Sequence, residues 1–329
     1  MSTIDLSNLE DRLKEMGKLG ASKEAIEEME SKMRLGLEKF QVRETKPATT
    51  KGHIDTIYNF KTAGTLKKTY MTNFRVEHHK IKPLQEGQSY FIITPRNGKN
   101  EVKKLNHPID AIEQFKKRDD KAELSVGKDI GHKSVLATME NGTVNFVAGE
   151  FRAAFYGKPI DQTFSDGAKN FSAFQAGNLV QGRGVHRGEV VTPHGEITKA
   201  WMVLDLEKGK VGNNFQLHPY LDPNYGFDLS KVLNDYNIKE LNDPKKRDEL
   251  ETALKDGDRP IVTVTKDGKD KKLHLETAVK YKKVNFFNLD GTMEKREQFL
   301  KEPAKENNLL AGKDIRKEKD LVASQELSR

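Results

Sequence analysis

Residues 243–275 read DPKKRDELETALKDGDRPIVTVTKDGKDKKLHL, and their order predicts a helix that ends into a β-hairpin. Asp243 suits the N-cap, and Pro244 suits the first helical position, where its missing N–H costs nothing. Leu250 and Leu254 share one helix face. Gly257 falls where a helix ends in a left-handed residue. The β-branched run Ile261 to Thr265 reads as a strand. Asp267-Gly268 meets the demand of a two-residue hairpin turn, and Leu273-His274-Leu275 returns. Just upstream, Leu229, Val232, Leu233 and Tyr236 suggest another short helix.

The same unit recurs elsewhere at irregular spacing. One copy begins Leu84-Gln85-Glu86-Gly87, runs through Tyr90 to Ile93 and turns at Asn97-Gly98. Another begins Phe174-Gln175-Ala176-Gly177 and continues through Ala200-Trp201-Met202-Val203-Leu204. The first forty residues read as a helical hairpin. Ser7 and Glu10 form a capping-box pattern. Leu6, Leu9, Leu13 and Met16 recur at helical spacing, Gly17 and Gly20 suit a turn, and a second helix starts near Ser22. Ile26, Met29, Met33, Leu37 and Phe40 form one apolar stripe. That stripe packs either within the chain or against another subunit. The expected fold class is α+β: an N-terminal helical hairpin followed by repeated helix-end/β-hairpin units. The expected segments are 1–45 (hairpin, oligomerisation), 46–145 (basic, β-rich, first repeat copy), 146–291 (repeat domain) and 292–329 (charged tail).

Hydrophobic residues make up 35% of the chain and charged residues 33%, so modest cores under a solvated surface are expected. The chain has no cysteine. Disulfides, thiolate zinc sites and cysteine nucleophiles are therefore excluded. No stretch approaches the roughly 18 apolar residues of a membrane helix, and Met1 to Glu15 lacks the apolar region of a signal peptide. The expected location is the cytoplasm of a bacterial host, or a virion.

The formal net charge of +7 is unevenly spread. Residues 43–82 hold 9 Lys/Arg against 3 acids, and Tyr58, Phe60, Tyr70 and Phe74 are interleaved with them. Positive charge with aromatic residues is the composition that meets phosphates and stacks bases. It equally describes a sheet with aromatics inside and lysines in water. Gln181-Gly182-Arg183-Gly184-Val185-His186-Arg187-Gly188 adds two arginines among glycines, which would let the backbone approach an anion. The candidate nucleic-acid-binding residues are Lys61, Lys67, Lys68, Arg75, Lys80, Lys82, Arg183 and Arg187.

Other constellations are weaker. Gly127-Lys128-Asp129-Ile130-Gly131-His132-Lys133-Ser134 resembles a phosphate loop, but has three residues between its glycines instead of four, and His132 precedes the lysine. His78 and His79 are adjacent, so on a strand they point to opposite faces. His186 and His194 lack a neighbouring set of carboxylates in sequence. No metal site, cofactor or catalytic residue is expected.

From Phe155 to Asn288 the chain resembles an uncharacterised repeat domain of mobile-element proteins in Bacteroidota. Such domains are often appended to type IA topoisomerases, or occur on conjugative elements and phages. The residues that carry the resemblance are Tyr156-Gly157-Lys158-Pro159, Ala200 to Asp205, Asn224-Tyr225-Gly226-Phe227-Asp228-Leu229, Lys231-Val232-Leu233 and Ile238-Lys239-Glu240-Leu241. The resemblance implies a setting in mobile DNA and transfers no catalytic residue. The expected role is that of a non-enzymatic accessory protein that contacts a nucleic-acid backbone or nucleoprotein. The alternative is a structural or packaged protein of a phage or conjugation assembly. Expected partners are nucleic acid, mobile-element or phage proteins, and a second copy through the N-terminal helices, with no membrane.

Overall fold

The computed structural model describes residues 6–48, 52–63, 68–81, 84–165, 171–192, 194–266 and 268–301. The chain divides into two compact units, Met1–Ala173 and Phe174–Arg329.

The first unit opens with helices α1 (Leu9–Leu19) and α2 (Lys23–Arg34). Strands β1 (Lys39–Pro47), β2 (His53–Ala63) and β3 (Lys68–His79) follow. Next come β4 (Ser89–Arg96), β5 (Lys99–Leu105), α3 (Pro108–Lys116), β6 (Ala122–Gly127), β7 (Lys133–Glu140) and β8 (Thr143–Val147). Helix α4 (Gly149–Tyr156) and strand β9 (Ile160–Phe164) complete it. One antiparallel sheet has the order β1-β2-β3-β9 and the other β5-β4-β6-β7-β8. In β1 the buried residues are Phe40, Val42 and Glu44, the period of two that a half-covered strand requires. That face meets α1 and α2, whose Met16, Leu19, Met29 and Met33 are buried together with Tyr58, Phe60, Phe74 and Val76. The second sheet packs on α3 and α4 through Ile92, Leu124, Phe115 and Phe155.

The second unit holds α5 (Ala173–Val180), β10 (Val185–Val191), β11 (Ile197–Leu204), β12 (Lys210–Val211), β13 (Asn214–Phe215) and β14 (Leu217–Asp222). Helices α6 (Leu229–Asn234) and α7 (Pro244–Lys255) precede β15 (Ile261–Lys266), β16 (Lys269–Ala278), β17 (Lys283–Phe287) and β18 (Met293–Glu294). Its sheets run β10-β11-β14, β12-β13 and β15-β16-β17-β18, all antiparallel. The core gathers Trp201, Phe227, Leu254, Val264, Leu275 and Phe286.

This architecture corrects the expected fold class. Strand outweighs helix, 44% against 28% of the described residues, and the chain is built from five small antiparallel sheets. The two N-terminal helices form, but they do not stand as a separate hairpin. Their apolar sides are buried on the β1-β2-β3 sheet. Ser22 caps α2 through Ala25 N–H at 3.2 Å. At α1 the N-cap falls one residue after the expected Ser7. Asn8 is the N-cap residue, and its side chain instead donates to Thr69 O at 2.5 Å and accepts from Thr69 N–H at 3.4 Å, tying the helix to β3.

The repeat reading also fails in two of its three copies. Leu84 and Gln85 are not helical and Glu86-Gly87 forms a turn, although the hairpin β4–β5 does turn at Asn97-Gly98. Gly177 lies inside α5, and the turn glycine is Gly182, with φ +86°. Only the third copy has the full form. Asp243 caps α7 through the N–H groups of Lys245 and Lys246, and Gly257 takes φ +75° before β15. Asp267 lies outside the described residues.

Candidate functional site

The β1-β2-β3-β9 sheet has two unlike faces. The register sets Thr45 against Asp55, Asp55 against Glu77 and His53 against His79. It also sets Gln41 against Asn59, Asn59 against Asn73 and Lys39 against Lys61. All of these lie opposite the face that packs on α1 and α2, because successive strand residues alternate sides. The face turned away from α1 and α2 is therefore largely polar, with the buried Ile57 between two ends that differ.

At one end lie His53, Asp55, Glu77 and His79. His107, the N-cap residue of α3, closes over them. Gly52 makes the tight entry to β2 possible: a Cβ there would sit 1.8 Å from the carbonyl oxygen of His79. Asp55 is fully buried and His53, His79 and Glu77 are nearly so. Thr45 Oγ1 donates to Asp55 Oδ1 at 2.7 Å, and His107 Nε2 lies 3.2 and 3.1 Å from the two Asp55 oxygens. His79 Nε2 lies 2.9 Å from Glu77 Oε2, while Arg75 Nη2 holds the other Glu77 oxygen at 2.7 Å. His53 Nε2 and His79 Nε2 stand 3.7 Å from Asp55 oxygens, too far for hydrogen bonds. The rings of His53 and His79 stack at 4.8 Å and 11°, and His107 meets His53 edge-on at 5.4 Å. His53 Nε2, Asp55 Oδ2 and His107 Nδ1 are buried and make no hydrogen bond. Such groups each cost about 1–3 kcal/mol when left unsatisfied.

Burial pushes the His53 imidazole down to about 4, against the pull of Asp55, so the ring is neutral near pH 7. Burial raises Asp55, but the hydrogen bond and charge of His107 and the hydroxyl of Thr45 outweigh it and leave the carboxyl below its usual range. Glu77 likewise ends low: burial is overcome by His79 and by the Arg75 guanidinium.

At the other end the face is open. A groove of about 470 Å³ is lined by Lys39, Gln41, Asn59, Lys61, Asn73 and Arg75, among others, with no carboxylate among its lining residues. Gln41 Nε2 donates to Asn59 Oδ1, and Asn59 Nδ2 donates to Asn73 Oδ1, each at 2.8 Å. This amide ladder crosses three strands. A bulge between Asn59 and Phe60 shifts the register, so that Tyr70 faces Lys61 and Lys68 faces Ala63. Tyr70 is 47% exposed, with the Arg12 guanidinium of α1 5.9 Å from its ring centroid.

The sequence-derived residues divide accordingly. Lys61, Lys68 and Arg75 share the open face. Lys80 is exposed just beyond β3. Lys67 and Lys82 lie outside the described residues. Tyr58, Phe60 and Phe74 face the helices instead of any ligand.

Arg183 is a correction. It lies in the second unit with 1% exposure, donates from Nε to Gly257 O at 2.6 Å and from Nη2 to Asn178 Oδ1, and serves the core. Its neighbour Gly184 is required by packing, since a Cβ there would meet Val279 at 2.7 Å. Arg187 is half-buried on β10 in that same unit. The glycine-arginine loop is thus a helix exit and a strand start. The phosphate-loop look-alike is the β6–β7 hairpin turn, with Asp129 accepting from His132 N–H at 2.8 Å. The Asn224–Leu229 segment is structural too. Phe227 packs on Trp201 at 5.2 Å, Asp228 caps α6, and Tyr225 Oη donates to Lys280 O at 2.8 Å.

The histidine–carboxylate group went unread in the sequence. Its members are spread over residues 53–107, and the adjacency of His78 and His79 drew attention to a pair the strand does separate. The usable signal was His-x-Asp at 53–55 beside Glu-x-His at 77–79, two strand patterns that place both residues on one face.

No helix among the described residues is long and apolar enough to cross a membrane. In comparisons with known proteins, no family model, no curated protein and no solved structure matches the chain.

Proposed function

We propose that the first unit binds the phosphate backbone of a single-stranded nucleic acid along the open half of the polar sheet face, without acting on it chemically. The observation that supports this reading is the coincidence of Lys39, Lys61 and Arg75, the last also paired with Glu77, with the Gln41–Asn59–Asn73 ladder in one groove that no carboxylate lines, and Lys68 further along the same face. Lysines offer mobile point charges to successive phosphates, and the amides retain donors and acceptors for sugar and base edges. Tyr70 offers a ring for stacking, which favours unpaired strands over duplex. A setting in mobile DNA is part of the proposal and rests on the motif resemblance from Phe155 to Asn288.

Fluorescence anisotropy with labelled single- and double-stranded oligonucleotides over a salt series tests it. Affinity for single strands falls steeply with salt, with a logarithmic slope of about −0.7 per phosphate contacted. The paired reversal Lys39→Glu with Lys61→Glu, at exposed positions that carry no core contact, lowers affinity at least about tenfold and flattens that slope by about 1.4. Equal binding by the reversed variant would refute the surface.

A further inference from the structure

The closed end of the same sheet face has a different chemistry, and it does not depend on the groove. Three imidazoles and two carboxylates converge there, and their donor atoms form two triads that share Asp55: His53, Asp55 and His107, and Asp55, Glu77 and His79. Within each triad the donors lie within 4.8 Å of one another, the spread of ligands around a single ion. Hydrogen bonding accounts for the second triad, since His79 is engaged by Glu77 and Glu77 by Arg75. In the first it accounts for the contact of His107 Nε2 with Asp55 Oδ1 at 3.2 Å but not for the remaining atoms. His53 Nε2 and Asp55 Oδ2 are buried, point into the cluster and have no hydrogen-bond partner, and the 3.7 Å from His53 Nε2 to Asp55 Oδ1 is too long for a hydrogen bond but ordinary for two ligands of one cation.

We propose that His53, Asp55 and His107 form a binding site for one divalent transition cation of the zinc class, with Glu77 and His79 completing its surroundings. Imidazole nitrogen with carboxylate oxygen selects Zn²⁺, Co²⁺ or Fe²⁺ over Mg²⁺ and Ca²⁺, which take oxygen ligands. Asp55 brings a negative charge to the ion, while Arg43 and Arg75 stand at the rim: Arg43 on Asp110 at 2.8 Å and 4.0 Å from Asp55 Oδ2, and Arg75 on Glu77 at 2.7 Å. An outer partner that orients a ligand is in place at Asp55, where Thr45 Oγ1 donates to Oδ1. The cation would take the place of the hydrogen bond between His107 Nε2 and Asp55.

The test uses the full chain, stripped with a chelator and dialysed against Zn²⁺ or Co²⁺ in the presence of excess Mg²⁺. The expected result is one equivalent of Zn²⁺ retained per chain, a rise in melting temperature, and visible d–d absorption with Co²⁺. His107→Gln and His53→Gln each lower Zn²⁺ affinity at least about tenfold. Circular dichroism of the metal-free variants keeps a folding failure separate from a ligand loss. His107 lies on another element at the rim, so His107→Gln gives the cleaner reading if His53→Gln unfolds. Absence of Zn²⁺ from the wild-type chain would overturn the assignment. So would retention unchanged in a folded His107→Gln variant, which would move the ion to exposed pairs such as His132–Asp129. The Lys39→Glu/Lys61→Glu variant retains the metal, so loss of nucleic-acid binding and loss of metal are independent outcomes.

Discussion

At the scale of single residues, exposure decides what a charged or polar side chain does. Arg183 and Lys61 are both cations beside a strand, yet one is sealed in a core and the other faces water. Burial lowers the Arg183 guanidinium to about 10, partly compensated by the charges of Glu276 and Asp258. Its bonds to Gly257 O and Asn178 tie the exit of α5 to the end of α7. Arg183→Met leaves buried acceptors without donors, each costing about 1–3 kcal/mol. The expected outcome is a loss of stability of a few kcal/mol in chemical denaturation, with unchanged nucleic-acid affinity below the melting point. The buried tyrosines give a second prediction. Burial pushes Tyr90 and Tyr236 up to about 12 from their ordinary 10. The unfolded phenols lose their protons first, so the stability these groups contribute is full below pH 10 and is lost as pH rises toward 12. Tyr90→Phe and Tyr236→Phe should each flatten the alkaline fall of the melting temperature over that window, and tyrosinate absorbance should lag behind that of the exposed phenols.

At the scale of elements, helices and strands are made useful by what covers their faces. Strand β1 keeps a two-residue period because only one side is covered. The stretch His53 to Tyr58 of β2 is buried on both sides, by the N-terminal helices on one and by the start of α3 on the other. That double cover is why β2 shows no simple alternation in sequence, and why it can carry a buried carboxylate. The docking of α1 depends on Asn8, which satisfies the backbone of Thr69 in both directions. Asn8→Ala should cost about 2 kcal/mol and speed hydrogen exchange in α1 while leaving α7 unaffected. The persistence of α1 protection in that variant would show that the methionine contacts alone hold the helix.

At the scale of the whole molecule, each unit has its own core, and the two candidate sites lie on one sheet of the first. Local signals read correctly where a short segment carries its own instructions. Asp243-Pro244 begins α7 and Gly257 ends it, and the strands at Ile54–Phe60 and Thr69–Val76 follow from β-branched and aromatic runs. The basic character of residues 43–82 was also visible, since charge needs no fold to be counted. Register was not visible. Only strand pairing sets Asp55 beside Glu77, only the fold over the sheet brings His107 onto Asp55, and only packing turns Arg183 from a surface fork into an interior tie. Sequence by itself determined the local elements and the excess of positive charge, because those depend on neighbours along the chain. The tertiary structure alone decided which polar residues meet, because a face of a sheet is assembled from strands whose sequence separation says nothing about their distance in space.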